Sequence, residues 1–219
     1  ENMRGETRLL VGTPGTLIEK STDKTGTKYV YRVYYEKPGL RREEYVCKST
    51  YTEALTAAQE KIEFARGISR CVGDLKKLGF QVLGKTEARF LVDLCNAGLI
   101  GQDENVLIPI GDLGRLVIQN EIGIRVRKSN LSVLEFAVLD NFDLNKLQAV
   151  VDKHPDVNAL FHVGKPISDK AISLQIEIGR KMSRFFQDSL TAMCLAGWHA
   201  IPCRIPQPRH LGFFEDHNS

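Results

Sequence analysis

Apolar residues recur along the chain with two different periods, and the first change of period marks out a small N-terminal unit. Residues 27–35 are rich in aromatic and β-branched side chains, and residues 41–48 follow them after a Lys-Pro-Gly turn. Two such runs on either side of a turn favour a pair of strands. Over residues 52–66 the apolar positions recur at helical spacing instead, and Thr52 is suited to begin the helix. The pattern predicts a ββα unit, preceded by a loose or partner-bound end over residues 1–15.

Beyond residue 67, helical spacing alternates with short apolar runs. Helical spacing occurs in five segments, which are residues 68–78, 86–96, 112–121, 145–153 and, as the longest, 168–196. Short runs that favour strands occupy residues 106–110, 131–140, 158–163 and 199–205. We therefore predict an α+β protein, with a small mixed sheet and flanking helices over residues 68–219 and the ββα accessory unit over residues 1–67.

Composition and charge narrow the choice of partners only a little. Among 219 residues, 30 basic and 27 acidic side chains give a formal net charge of +3, which is compatible with an anionic partner. No apolar run approaches the roughly 20 residues of a membrane span, and the start of the sequence has no secretion signal. The five cysteines include no CxxC pair, and their apolar neighbours favour reduced thiols. We therefore expect a cytoplasmic protein with no membrane partner.

The predicted hairpin combines tyrosines with basic side chains. Tyr31 and Arg32 lie on its first strand, and Arg41 and Arg42 lie on its second. Tyrosine rings stack on bases while arginine neutralises phosphates, so this hairpin is a candidate nucleic-acid surface. A small sheet followed by a helix also resembles the arm-binding domain of phage-type integrases, which reads DNA. The alternative is a hairpin whose tyrosines pack on the helix, because two glutamates follow Arg42 and interrupt the basic patch.

Several short motifs extend over both predicted units. The first is Tyr29-Val30-Tyr31, followed by Gly39, Arg41 and Tyr45. Later motifs are Asn-Ala-Gly-Leu-Ile at residues 96–100, a glycine turn at residues 119–125 and a proline pattern at residues 205–209. In this order they resemble the motifs of a bacterial family of nucleotidyltransferase-like proteins of the polymerase-β type. The resemblance covers about half of the chain and implies a nucleotidyltransferase-like core that has a nucleotide or nucleic acid as its partner.

The resemblance also implies a phosphate-binding turn. Members of the family hold triphosphate oxygens at a Gly-Ser or Gly-Thr turn that begins a helix, where backbone amides and the helix dipole attract anions. This chain has Gly111-Asp112 at that place, and Arg115 follows one turn later. These three residues are the candidates for nucleotide binding, although the negative charge of Asp112 disfavours a phosphate there.

Catalysis in the family needs two carboxylates one residue apart on the next strand, where they hold Mg²⁺. No Asp-x-Asp follows Arg125, and the nearest acids are Glu135, Asp140 and Asp143. If the chain is active, Asp140 and Asp143 are the candidate metal ligands, and Glu135 is a third catalytic candidate. The ordinary alternative makes Asp143 the cap of the next helix. Either the domain has lost catalysis, which we favour, or a metal-binding loop is absent near Val126-Arg127.

Three functional hypotheses follow from these observations. The first is a nucleotidyltransferase-like protein that acts on or binds a nucleotide or nucleic acid, with Mg²⁺ as cofactor if it is active. The second is a non-catalytic DNA- or RNA-binding protein that uses the basic, tyrosine-rich hairpin and the polar hinge Arg127-Lys128. The third is an interaction module that forms a homodimer through the apolar stripe of residues 168–196.

Overall fold

A computed structural model describes residues 8–21, 26–37, 39–101, 106–125, 131, 133–138, 142–155, 157–160, 172–178 and 190–205. The helices are α1 (Thr52–Lys77), α2 (Lys85–Asn96), α3 (Gly111–Glu121) and α4 (Leu144–Val151). The strands are β1 (Thr16–Ser21), β2 (Lys28–Lys37), β3 (Leu40–Lys48), β4 (Ile108–Pro109), β5 (Val133–Val138), β6 (Val157–Leu160), β7 (Ile172–Ile178), β8 (Leu190–Ala196) and β9 (His199–Ile205). The predicted α+β class is confirmed. None of the four helices in this part of the chain is long and apolar enough to cross a membrane.

The N-terminal unit is a three-stranded antiparallel sheet in the order β1-β2-β3, followed by α1. The predicted ββα unit is therefore present, and β1 adds a strand that the sequence analysis did not assign. Ile18 of β1 lies opposite Tyr31 of β2, and Tyr45 of β3 lies opposite Tyr31 on its other side. Val30 and Cys47, which are paired on neighbouring strands, are buried. One side of this sheet thus faces the interior of the protein and the other faces solvent.

The helix α1 is continuous over 26 residues, so the prediction of two helices separated at Gly67 is wrong. Gly67 is exposed, and a glycine at an exposed helical position costs only about 1 kcal/mol relative to alanine. Ile62 and Val72, which flank it, are both buried, and their packing stabilises the helix on either side of Gly67. The proposed boundary between residues 67 and 68 falls within this helix. The division into two domains stays a prediction.

The second sheet is the small mixed sheet that the sequence predicts. Its order is β4-β5-β7-β6, in which β4 is antiparallel to β5 while β5 and β6 are parallel to β7. Helix α3 packs against β4 and β5, while α2 packs against α4, β8 and β9. Phe90, Leu113 and Phe136 are fully buried in one shared core. β8 and β9 form an antiparallel hairpin whose Cys194 and Ile201 join the same core. The sheet and the hairpin are thus held together by one apolar interior.

The long helix predicted over residues 168–196 is wrong for the two parts of it that the structure describes. Both parts are strands, β7 and β8. The apolar residues Ile172 and Ile176 are four apart, which fits a helix, but the full run Ile-Ser-Leu-Gln-Ile-Glu-Ile alternates with period two, and β-branched side chains favour strands. The remaining residues of that segment lie outside the described ranges. The homodimer hypothesis relied on this helical stripe and loses its support.

Candidate functional site

The predicted glycine turn lies between β4 and α3. Ile110 is extended, and Gly111 begins the helix with a positive φ of 55°. The next turn of the helix lies close to the strand, since a Cβ added to Gly114 would be 2.7 Å from the carbonyl oxygen of Pro109. The backbone N–H of Ile110 donates to the carbonyl oxygen of Glu135 on β5 at 3.0 Å. These contacts place the N-terminus of α3 beside β5.

Glu135 occupies this helix N-terminus with its own carboxylate. Its Oε2 accepts a hydrogen bond from the backbone N–H of Asp112 at 3.3 Å, and a Cβ on Gly111 would overlap the same oxygen. Helix N-termini attract anions because their first amides have no partner within the helix. The structure therefore brings together the candidates Glu135, Gly111 and Asp112. A phosphate at this end of the helix would have to displace the Glu135 carboxylate.

The second carboxylate that the resemblance requires is not on β5. The positions two residues from Glu135 on this strand are Val133 and Ala137. Asp143 is the N-cap of α4, where its Oδ1 accepts hydrogen bonds from the amides of Asn145 at 3.0 Å and Lys146 at 3.1 Å.

Asp140 and Arg115 are the remaining candidates of this site. Asp140 lies outside the described residues, so its position relative to Glu135 stays open. Asp112 and Arg115 are exposed and lie 3.7 Å apart as an ion pair along the first turn of α3. Across the part of the chain that the structure describes, no group of three or more His, Cys, Asp or Glu side chains could hold a metal ion.

The solvent-facing side of the N-terminal sheet carries a row of tyrosines. We call Tyr29, Tyr31, Tyr35 and Tyr45 the tyrosine face. The ring centroids of Tyr31 and Tyr45 are 5.7 Å apart in an edge-on arrangement, and those of Tyr29 and Tyr45 are 6.3 Å apart. A register shift between Val30 and Tyr31 sets Tyr45 directly opposite Tyr31. The rings of Tyr29, Tyr31 and Tyr45 thus form one aromatic cluster, and Tyr35 lies further along the same side of the sheet. Tyr35 and Tyr45 are the most exposed of the four.

Basic side chains border the tyrosine face. The ammonium group of Lys20 lies 5.7 Å from the centre of the Tyr31 ring, and Arg41 is paired in register with Tyr35. Both cations form ion pairs with Glu43 at the surface. Exposed ion pairs of this kind contribute about 0–1 kcal/mol, so a phosphate can replace the glutamate at little cost. Over residues 16–48, eight basic side chains outnumber five acidic ones, which leaves the unit positively charged.

Arg32 lies on the opposite, interior side of this sheet. Its side chain is only 3% exposed, and its guanidinium stacks over the ring of Tyr34 at 4.0 Å. Nη2 donates to the carbonyl oxygen of Val11 at 2.9 Å, and Nε lies 3.2 Å from Glu44 Oε2 as an ion pair without hydrogen-bond geometry. Nη1 is buried and has no hydrogen-bond partner among the described residues. Burial lowers the pKa of Arg32 against the opposing effect of Glu44. The contact predicted between Arg32 and nucleic acid stays untested, and the buried position of Arg32 does not favour such a contact.

Arg42 also lies on the side of the sheet away from Tyr31, where it shares Glu36 with a residue of α2. Arg42 Nε is 2.8 Å from Glu36 Oε2, and Arg89 Nη2 is 2.7 Å from Glu36 Oε1. The hydrogen bond from Arg42 lowers the pKa of Glu36, and the charge of Arg89 adds to this effect. The two arginines thus join β3 to α2 through one carboxylate. The other predicted basic contacts, Arg127-Lys128, lie outside the described residues.

Sequence reasoning missed Lys20 and the contribution of Tyr45 to this surface. The sequence of β1, Thr-Leu-Ile-Glu-Lys-Ser, gave little signal for Lys20, because its two apolar residues are adjacent and do not alternate with polar ones. Tyr45 could be placed next to Tyr31 only once the register of the hairpin was known.

Comparison of the chain with protein-family models, curated proteins and solved structures finds no significant match.

Proposed function

We propose that this protein binds single-stranded nucleic acid on the tyrosine face. The observation that carries the proposal is the contact between Tyr31 and Tyr45 on a solvent-facing sheet, beside the ammonium group of Lys20. Aromatic rings on an open sheet offer stacking surfaces to successive bases, and nearby cations neutralise phosphates. Bases within a duplex are already stacked on one another. The surface therefore favours single strands over duplexes.

The position of Arg41 supports a path for the bound nucleic acid along the sheet. Arg41 pairs with Tyr35, four residues along β2 from Tyr31. At a rise of about 3.3 Å per residue, this separates Arg41 from the Tyr31 ring by about 13 Å. A single-stranded nucleic acid whose bases stack on Tyr31 and Tyr45 can thus place a phosphate of a following nucleotide beside Arg41. Contacts of this kind are independent of base sequence, so we expect binding with little sequence preference.

We also propose that the α/β core keeps a nucleotidyltransferase-like turn without transferring nucleotides. Two observations support this part of the proposal. β5 supplies a single carboxylate, and that carboxylate already accepts a hydrogen bond from the amide of Asp112. Phosphoryl and nucleotidyl transfer rely on Mg²⁺ to neutralise charge, and Mg²⁺ requires oxygen ligands in octahedral geometry. Glu135 alone does not fit such a site, so we assign no step to a metal.

Mg²⁺-dependent nucleotidyl transfer is a second candidate because of one specific contact. Gly111, the N-terminus of α3 and the Glu135 carboxylate lie together at the end of β4, as the resemblance requires. Activity would need a further acid at this place, for which Asp140 is the predicted residue. It would also need Glu135 to leave the Asp112 amide, so that phosphate oxygens could take its place.

Thermal unfolding in the presence of each ligand class tests the proposal. A ligand that binds only the folded state stabilises it by about 2.7 kcal/mol at one hundred times its dissociation constant. We expect single-stranded DNA or RNA of about 12 nucleotides to raise the midpoint, and the shift to shrink as salt is added. We expect the matched duplex to give a smaller shift and nucleoside triphosphates with Mg²⁺ to give none. A Mg²⁺-dependent shift with a triphosphate alone would favour the second candidate, and no shift with either single strand would contradict the first.

A further inference from the structure

A large cavity lies on the interior side of the N-terminal sheet. It is lined by the segment 8–14, by α1, by the end of α2 and by the β8–β9 hairpin, and it is open to solvent, since Phe64 and Met193 in its lining are exposed. Its volume is about 760 Å³, within the range of about 300–1,000 Å³ that is common for small-molecule sites. No member of the tyrosine face lines it. The cavity is therefore separate from the surface proposed for nucleic acid.

The lining of the cavity is apolar apart from a few basic groups. The large apolar side chains are Phe64, Ile68, Ile100, Met193, Trp198 and Pro202. The charged side chains of the lining are both basic, Arg8 and Lys61. Among the described residues, the lining contains no carboxylate, side-chain amide or hydroxyl group. Such a surface offers hydrogen-bond donors but few side-chain acceptors, so it suits an apolar body with a negative charge better than a sugar or the edge of a base.

Lys61 is the cation best placed to receive that charge. It lies on α1, is partly buried, and makes no hydrogen bond or ion pair with any residue in the described ranges. Burial lowers the pKa of Lys61, and the charges of Arg32 and Arg8 lower it further, against the opposing effect of Glu44. A charge kept in apolar surroundings without a partner destabilises the folded state. An anion bound beside Lys61 would remove that penalty.

Two other groups near the cavity, His199 and Arg32, contribute to the charge of its surroundings. His199 lines the wall, and burial lowers its pKa, against a hydrogen bond with the Gly12 backbone, while Arg32 lowers it further. The imidazole is therefore uncharged at neutral pH, and it neither attracts nor repels an anion by its charge. Arg32 keeps a buried Nη1 without a hydrogen-bond partner in the described part of the chain, close enough to depress the pKa values of both Lys61 and His199. Arg32 and Arg8 thus add positive charge near Lys61, and Glu44 opposes them.

We propose that the cavity binds an organic anion with a large apolar body, of the class of long-chain carboxylates, with its carboxylate beside Lys61. The apolar chain lies among Phe64, Ile68 and Trp198. This site is independent of the tyrosine face. Loss of nucleic-acid binding would leave the proposal unaffected.

Trp198 provides a direct readout, because it is the single tryptophan of the chain and lines the cavity. We expect its fluorescence to change in a saturable manner when dodecanoate is added below its micelle concentration. Dodecanol has the same chain without the charge. It is expected to bind about tenfold more weakly or worse, since a hydrogen bond to a charged group contributes more than a neutral one. Equal affinity for the two compounds would overturn the assignment of the carboxylate to Lys61.

Three variants make the test specific. Lys61→Met keeps the length of the side chain but not its charge, so dodecanoate should bind it no better than dodecanol does. Lys76→Met, at an exposed position of the same helix, should behave like the wild type. Ala65→Phe places a ring into the cavity and should abolish binding of both compounds, with circular dichroism confirming the fold. An unchanged response in Lys61→Met, or no response of Trp198 in the wild type, would overturn the proposal.

Discussion

The carboxylate of Glu135 lies where a side chain on Gly111 would have to be. Its Oε2 accepts the amide of Asp112 at 3.3 Å, and a Cβ at position 111 would overlap that oxygen. The turn between β4 and α3 therefore has an anion at the helix N-terminus already, and that anion is the Glu135 carboxylate of the protein itself. The same two residues explain why the turn resembles a phosphate cradle and why we expect it to be closed to phosphate.

Gly111→Ala should therefore be more destabilising than the same change at an open turn. Gly123, just beyond α3, has a φ of 77°, and a Cβ added there would have nothing within 4 Å, so Gly123→Ala measures backbone strain alone. That strain costs roughly 1–2 kcal/mol. Gly111→Ala also moves the flexible Glu135 carboxylate away from the Asp112 amide, so we expect it to lose about 1 kcal/mol more than Gly123→Ala in urea denaturation. Equal losses in the two variants would show that Glu135 does not occupy the turn.

The salt dependence of nucleic-acid binding should distinguish Arg41 from Arg32. Each phosphate contact made to a single strand contributes about 0.7 to the slope of log affinity against log salt concentration. We expect Arg41→Met to lower the slope by about that amount, because Arg41 is exposed beside the tyrosine face. Arg32→Met should leave the slope unchanged, because its guanidinium is buried on the other side of the sheet. A lower slope for Arg32→Met would restore the prediction made from the sequence.

His199 should make the folded state sensitive to acid. Burial lowers its pKa below the ordinary value of 6.5, so the unfolded chain binds a proton at a higher pH than the folded chain does. The stability of the folded state therefore falls as the pH drops below 6.5, until the folded-state pKa is reached. The groups that face the ring are the Gly12 backbone and Arg32. In urea denaturation at pH 7.5 and pH 5, the wild type should lose more stability than His199→Gln, and an equal loss would contradict this account.

His154 should contribute strongly to the stability of the core. Its Nε2 is 2.8 Å from Asp93 Oδ2, its side chain is buried, and its ring packs edge-on against Phe90 at 5.2 Å. His154→Ala removes the hydrogen bond and leaves a cavity, so we expect a loss of about 2–4 kcal/mol in the free energy of unfolding. Asp93→Asn keeps a hydrogen-bonding oxygen in a partly exposed position and should lose less than half as much. A loss below about 1 kcal/mol for His154→Ala would contradict the role given to this pair.

Short motifs in the sequence predicted the helix ends, turns and caps, because these features depend mainly on neighbouring residues. The Asn-Ala-Gly sequence predicted the end of α2, and Gly98 indeed follows it with a φ of 68°. The turn at Gly111 and the Asp143 cap were likewise readable from residue types, although the cap was considered only as the alternative to a metal ligand. β7 was missed because Ile172 and Ile176 satisfy helical spacing as well as strand alternation. Pairing with β5 and β6, which decides between the two, is a tertiary property.

The candidate sites depend mostly on contacts between distant parts of the chain. Glu135 meets Gly111 only because β5 pairs with β4, and Tyr45 meets Tyr31 only because of the register shift in the hairpin. The cavity combines the segment 8–14 with α1 and with Trp198, far along the chain. Such combinations are set by packing. No spacing in the sequence indicates them.

Fluorescence anisotropy with a labelled single strand tests the central claim most directly. Base stacking on an aromatic side chain contributes about 1–3 kcal/mol, so the double variant Tyr31→Ala and Tyr45→Ala should bind at least about tenfold more weakly than the wild type. The matched double variant with phenylalanine keeps both rings and should bind within about twofold of the wild type. Loss of affinity in the alanine variant alone is the result that we predict. Equal affinity in all three proteins would contradict nucleic-acid binding on the tyrosine face.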